Sequence, residues 1–359
     1  MNNLTSDGIE TLKNCKLPLA SFSFTGFFGA PGCGKTTQLQ NVAEAVVKWS
    51  KTTSYDLDNP TLCNGPVTHN IFMSPSTHSD NTLKTKNNQI LIEANDQNIL
   101  DIIDSIRVMS DKFYKILNVQ KFLRSIAKDI YQEKYSNKHL LNIKQILQQH
   151  PSYKIILQAL IELEQFKKEY PELVFKETDQ QILQVLSDIT SNKISSYSSR
   201  FTIGIAQSNS PSVITEFDGF MVRRPKVILI VDDQTGSKLF RDVGNEFYRA
   251  LSQRRHLSLF FTGVSIHSPG ALQIGFKAIM NSCLLFRGIP IEKLKDIYGT
   301  IQALDSIDFN VNNFIDIYQD ITGFNETDMS KKESFRFNFL YVQSQPITSI
   351  WFKFDKRLK

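Results

Sequence analysis

Long apolar runs are missing from this chain of 359 residues. No stretch reaches the ~20 consecutive apolar residues of a membrane-spanning helix, so no bilayer span is expected. The first residues lack the basic-then-apolar design of a secretory signal. Cysteine is scarce, and the four present (Cys15, Cys33, Cys63 and Cys283) have no ligand-like spacing. Free thiols in a reducing, intracellular compartment are expected rather than a disulfide framework. A large charge excess is also absent: 41 basic residues stand against 36 acidic ones, for a formal charge of +5. That balance permits a nucleic-acid partner without demanding one. There is no internal repeat. The length suits one large or two modest domains, and an apolar content of 41% allows a real core.

What is present is concentrated at residues 29–36. Gly29, Ala30, Pro31, Gly32, Cys33, Gly34, Lys35 and Thr36 spell G-x-x-x-x-G-K-[ST], the phosphate-loop pattern. An apolar, β-prone run at 22–28 leads in. A helix-forming run at 37–47 leads out, with Leu39, Val42, Ala43, Val46 and Val47 at helical spacing. Strand, glycine loop and helix N-terminus make an anion site, because backbone N–H groups converge on the phosphates and the helix dipole is positive there. A chance glycine-rich turn would lack that flanking strand and helix. The expected nucleotide contacts are residues 29–37, through Thr37 at the helix entry. Lys35 is expected on the β- and γ-phosphates and the Thr36 hydroxyl on a magnesium ion. Cys33 contributes backbone rather than side chain.

A second organising strand is expected at 226–231, a continuous apolar and β-branched run suited to a central parallel strand. It ends on Asp232 and Asp233. Carboxylates at the carboxyl end of a strand beside a phosphate loop are where a metal-organising residue must sit. Asp232 is the expected partner of the metal, and Asp233 is placed to orient or deprotonate the attacking water. A third core strand is expected at 257–265, with Thr262 or Ser265 toward the γ-phosphate. A helix is expected at 238–251 with Phe240, Val243, Phe247 and Leu251 inward. Arg241 and Arg249 within it, and Arg254 and Arg255 past its end, are candidates for a residue that neutralises charge at a neighbour's γ-phosphate.

Around these lie expected short strands at 71–73, 90–92 and 283–286 and a terminal hairpin at 337–342 and 350–354. A long helical stretch is expected at 99–117, extended toward Ile126. Further helices are expected at 141–147, 155–166, 182–189, 274–280, 291–298 and 311–319, and a polar, Ser-rich loop at 191–211. The chemistry these parts imply is nucleotide hydrolysis driving conformational change. Nothing marks the acceptor site of a small-molecule kinase.

On these residues the chain resembles the genome-packaging ATPases of the FtsK–HerA superfamily, in the poxvirus-type branch shared by large DNA viruses, virophages and Polinton-like elements. The blocks that carry the resemblance are GAPGCGKTT at 29–37, IFMSPSTHSD at 71–80, ILIVDD at 228–233 and RRHLSLFFTGVS at 254–265. NSCLLFRG at 281–288 and FNFLYV at 337–342 are similar too. The implied fold is α/β: a P-loop NTPase with a RecA-like, mostly parallel sheet flanked by helices, a helical insertion and a C-terminal β-hairpin. The expected organisation is an arm at 1–20, a first half of the ATPase core at 21–111, a mainly helical insertion at 112–207 and the second half at 208–359. The resemblance implies an ATP- and Mg2+-dependent homo-oligomeric ring, a pentamer or hexamer, that pumps double-stranded DNA into a preformed capsid. Capsid vertex proteins would be partners, and the setting would be the host cytoplasm, a viral factory or the virion.

Lys35, Thr36, Asp232 and Asp233 inherit the ATP roles, and Arg254 or Arg255 is the first choice for the subunit-bridging arginine. The chain departs from the family twice. Where the family places Gln or Asn near the end of the strand after the Arg-His block, this chain has Gly263, Val264 and Ser265, so Ser265 is the nearest substitute. The separation between the loop and Asp232 is also long, which the insertion absorbs as a lid, a capsid-docking element or part of the DNA path. A plasmid or cellular DNA pump or helicase, and a nucleotide-dependent interaction protein with little turnover, are the rival readings.

Overall fold

The computed structural model describes residues 21–50, 67–77, 89–136, 153–171, 225–300, 310–328, 331, 335–344 and 347–352. The expected arm at 1–20, the helices expected at 141–147 and 182–189 and the Ser-rich stretch at 191–211 lie outside them. In chain order the strands are β1 (Ser23–Phe28), β2 (His69–Ser74), β3 (Gln89–Glu93), β4 (Val227–Val231), β5 (Leu259–Ile266), β6 (Ser282–Phe286), β7 (Phe339–Ser344) and β8 (Ile347–Phe352). The helices are α1 (Lys35–Ser50), α2 (Asp96–Ser136), α3 (Tyr153–Glu169), α4 (Glu246–Ser252), α5 (Ile274–Ala278), α6 (Ile291–Thr300) and α7 (Val311–Thr322).

The strands form one 8-stranded sheet in the order β3-β2-β4-β5-β1-β6-β7-β8. The pairings from β3 through β6 are parallel, and β7 and β8 add antiparallel. The protein is therefore an α/β protein with a mostly parallel sheet. Strands covered on both faces should read as unbroken apolar runs, and Val227, Ile228, Leu229, Ile230 and Val231 are all fully buried. On α1, Leu39, Val42, Ala43 and Val46 turn one buried stripe onto Phe27, Phe72, Ile228, Ile230, Phe261 and Leu284. Each Leu, Val, Ile and Phe among them contributes about 1.5–3 kcal/mol by leaving water. Gly263 on β5 lets the helix come close: a Cβ there would lie 2.9 Å from both Leu39 Cδ2 and Ile230 Cδ1.

Three local expectations need correction. The helix expected across 238–251 is broken into a 3-10 turn (Lys238–Phe240) and α4. The Asp242 carboxylate accepts from Gly244 N at 2.7 Å, and Asn245 caps α4 by accepting from Tyr248 N at 2.8 Å. Short polar side chains that bond nearby backbone favour turns and caps over helix interiors. β2 begins at His69, two residues before the strand expected at 71–73. β7 begins two residues later than expected, so Arg336 and Phe337 fall in the turn before it.

Two compact units are distinguished: residues 1–55, 65–108 and 226–359 in one, and 56–64 and 109–225 in the other. The first holds the sheet. In the second, the α2 residues Met109, Phe113 and Ile116 and the α3 residue Phe166 are buried. Lys112 pairs with Glu169 at 2.5 Å and Lys115 with Glu162 at 3.2 Å, so α2 and α3 lie side by side in opposite directions. Among the described residues no helix is long and apolar enough to cross a membrane.

Candidate functional site at the carboxyl end of the sheet

The loop at 29–34 joins the end of β1 to the first turn of α1. Gly32 and Gly34 have φ of 74° and 90°, in the region glycine enters without penalty. The turn after β6 braces the loop, because Ala30 N donates to Arg287 O at 3.0 Å. That turn is tied in its own right to α7: the Tyr318 hydroxyl donates to Phe286 O at 2.7 Å and accepts from Ile289 N at 3.0 Å. Lys35, almost fully buried, folds back across the loop and donates to Gly29 O at 2.8 Å and Ala30 O at 2.9 Å. Cys33 is buried beneath it, and burial raises its thiol pKa against the pull of the Lys35 charge.

Facing the loop are the ends of β4 and β5. β5 lies between β1 and β4, so the acidic strand stands one strand away from the loop strand. Thr36 bridges that gap, its hydroxyl donating to Asp232 Oδ2 at 2.7 Å. The other carboxylate oxygen, Oδ1, accepts from the Ser265 hydroxyl. Asp232 is 2% exposed. Burial raises its pKa above the ordinary carboxylate value, the hydroxyls of Ser265 and Thr36 pull it back, and the nearby Asp233 adds to the rise.

Asp233 sits at φ 49°, a left-handed conformation that Asp adopts more readily than most residues. Its N–H donates to Ser265 Oγ at 2.9 Å, and its carboxylate is exposed. There Asp233 Oδ1 meets His267 Nε2 at 3.0 Å, and the opposite ring nitrogen, Nδ1, is 3.4 Å from Lys35 Nζ. One imidazole thus links the loop lysine to the strand-end carboxylate. His267 N donates to Thr235 Oγ1 at 3.0 Å, which fixes the backbone from which the ring projects.

Lys35, Thr36, Asp232, Asp233 and Ser265 therefore lie together at this end of the sheet. Ser265 serves a different part: it bonds both aspartates and lies within β5 rather than at its tip. His267 was missed. Ser265 and His267 alternate along an extended chain and so share a face, a signal obscured by ending the strand at Ser265. Thr262 is placed away from the site: it pairs with Phe24 and Leu229 in the middle of the sheet and is fully buried.

The arginines separate. Arg254 is committed within its own chain, donating from Nε to Phe22 O at 2.5 Å, from Nη1 to Leu251 O at 2.9 Å and from Nη2 to Asn281 Oδ1 at 3.1 Å. Phe22 precedes β1, so this cluster lies at the opposite end of the strand from the loop. Arg254 is better read as a brace than as a bridging arginine. Arg255 beside it is exposed. Arg249 pairs with Glu246 at 2.6 Å, and Arg241 is exposed.

Among the described residues no three His, Cys, Asp or Glu side chains gather into a protein-only metal cage. The Thr36 hydroxyl and Asp232 carboxylate offer oxygen donors alone. That sparse, hard set fits magnesium, which keeps most of its waters and uses one or two carboxylates plus substrate phosphate. No protein-family model matches the chain, and neither does any curated protein.

Proposed function

We infer that the chain is a P-loop NTPase of RecA-like fold that hydrolyses ATP, and that it uses the energy to translocate double-stranded DNA. The observation that carries the hydrolytic reading is the Thr36–Asp232 hydrogen bond of 2.7 Å, which joins a glycine-loop helix to the acidic tip of a strand one place removed in a parallel sheet. In this reading the backbone N–H groups of 29–37 bind the polyphosphate, and Lys35 leaves its loop carbonyls for the β- and γ-phosphates. Thr36 and Asp232 would hold magnesium, which supplies neutralisation of phosphate charge when bound. Asp233 orients the attacking water and accepts its proton. His267, hydrogen-bonded between Asp233 and Lys35, senses the γ-phosphate position in place of the Gln or Asn of the resembled family.

The DNA-motor part rests on the resemblance to poxvirus-type packaging ATPases. In that reading copies assemble into a ring around duplex DNA, with affinity carried by phosphate contacts and falling steeply with salt. Phosphate release should be measured with no DNA, blunt duplex and single strands. Strong stimulation by duplex supports translocation. Preference for single strands with unwinding points to a helicase, and absent turnover with nucleotide-dependent binding points to an interaction protein.

A further inference from the structure

We propose that the turn at residues 335–338 is the nucleoside wall of the same nucleotide site, with Phe337 seating the base and Arg336 holding the phosphates. This rests on the nucleotide reading above, whose named side chains all lie on the first turn of α1 or on the β4–β5 side of the loop. The turn comes from the other side. β7 is antiparallel to β6 and starts at Phe339 opposite Phe286, so the residues just before it reach the same end of the sheet as the loop.

The turn is built rather than incidental. Asn338 N donates to Phe335 O at 3.0 Å, which places Arg336 and Phe337 at the tip. The buried Asn338 side chain donates to Ile321 O at 3.0 Å, near the end of α7. The Phe335 ring packs on Gly323, the left-handed cap of α7, where a Cβ would come within 2.5 Å of Phe335 Cγ. Both flanks are thereby anchored to one helix end.

From this mount the tip lies on the glycines of the loop. Arg336 Nε donates to Gly32 O at 3.3 Å, and a Cβ on Gly32 would be 3.7 Å from Arg336 Nη2. The Phe337 ring covers Gly34, with Cδ1 at 2.8 Å from where a Cβ would be. The Arg336 guanidinium carbon is 5.3 Å from the centre of the Phe337 ring. Arg336 is exposed and Phe337 partly buried. Packing alone would be met by any apolar residue at 337 and needs no cation at 336. A planar guanidinium suits phosphate oxygens, and an aromatic face accepts a base whatever its hydrogen-bonding edge.

Equilibrium binding of Mg-ATP and of magnesium tripolyphosphate to the full chain tests this. The unaltered protein should prefer ATP. Phe337→Leu keeps apolar bulk over Gly34 and should weaken ATP about tenfold, toward the lower end of base–aromatic stacking, with tripolyphosphate unchanged. Phe337→Trp should retain ATP affinity, and Arg336→Ala should weaken both ligands. Equal loss of both ligands in Phe337→Leu, or no loss of ATP, overturns the wall while leaving the nucleotide reading standing. Unchanged affinities in Arg336→Ala remove Arg336 from it. An unaltered protein that binds neither ligand overturns the wall and the nucleotide reading together.

Discussion

Asp232→Asn should make the nucleotide-free protein more stable and catalytically inactive. The carboxylate is 2% exposed and held by two neutral hydroxyls, from Thr36 and Ser265, with Asp233 nearby. Each hydrogen bond to a charged group is worth about 1.5–3 kcal/mol, whereas burying an ion costs several kcal/mol even after relaxation. Burial from all sides raises its pKa against the pull of both hydroxyls, so desolvation is taken as the larger effect. A carboxyl whose folded-state pKa lies above the unfolded value contributes stability when protonated. That contribution is complete below the unfolded pKa and is lost as pH rises through the folded one. At neutral pH the natural residue therefore carries the penalty and Asn does not. Asn keeps the shape, and both hydroxyls can rotate to suit its amide. A net gain of about 1 kcal/mol corresponds to roughly 2–4 °C in Tm for a domain of this size. Thermal unfolding in EDTA at pH 7 reads it, and the difference should shrink as pH falls into the carboxylate range. Adding Mg-ATP should raise Tm of the natural protein more than that of the variant. A lower Tm for Asp232→Asn in EDTA refutes the reasoning.

His267→Ala should lower ATP turnover by about a hundredfold, the lower end for losing one hydrogen bond to charge developing in the transition state, with ATP affinity little changed; parallel loss of affinity would make His267 a binding residue instead. Arg254→Ala should lower Tm, because it removes donors from Phe22 O, Leu251 O and Asn281 Oδ1. Mixing it with Lys35→Ala subunits should not restore turnover beyond the sum of the two. Complementation with unchanged Tm would return Arg254 to the bridging role.

The sheet was legible where one physical demand dominated. The run at 227–231 has no polar residue, and a strand buried on both faces requires that. The glycine loop was legible because Gly32 and Gly34 need left-handed backbone and Lys35-Thr36 follow at fixed spacing. The break at 242–245 was hidden by Phe240, Phe247 and Leu251, whose helical spacing persists although Asp242 and Asn245 bond the backbone between them. His267 was hidden because a strand end depends on pairing: Ile266 stays in β5 because it lies opposite Phe28. The same dependence hid Arg336 and Phe337. The aromatic run at 337–342 reads as strand throughout, but only from Phe339 does it find a partner on β6.

Steady-state phosphate release from Mg-ATP by the natural protein and by Lys35→Ala tests the central claim most directly. The account predicts clear turnover by the natural protein and none above background for Lys35→Ala. Near-normal turnover in that variant would contradict it, since the account puts the Lys35 ammonium, which now bonds Gly29 O and Ala30 O, on the β- and γ-phosphates.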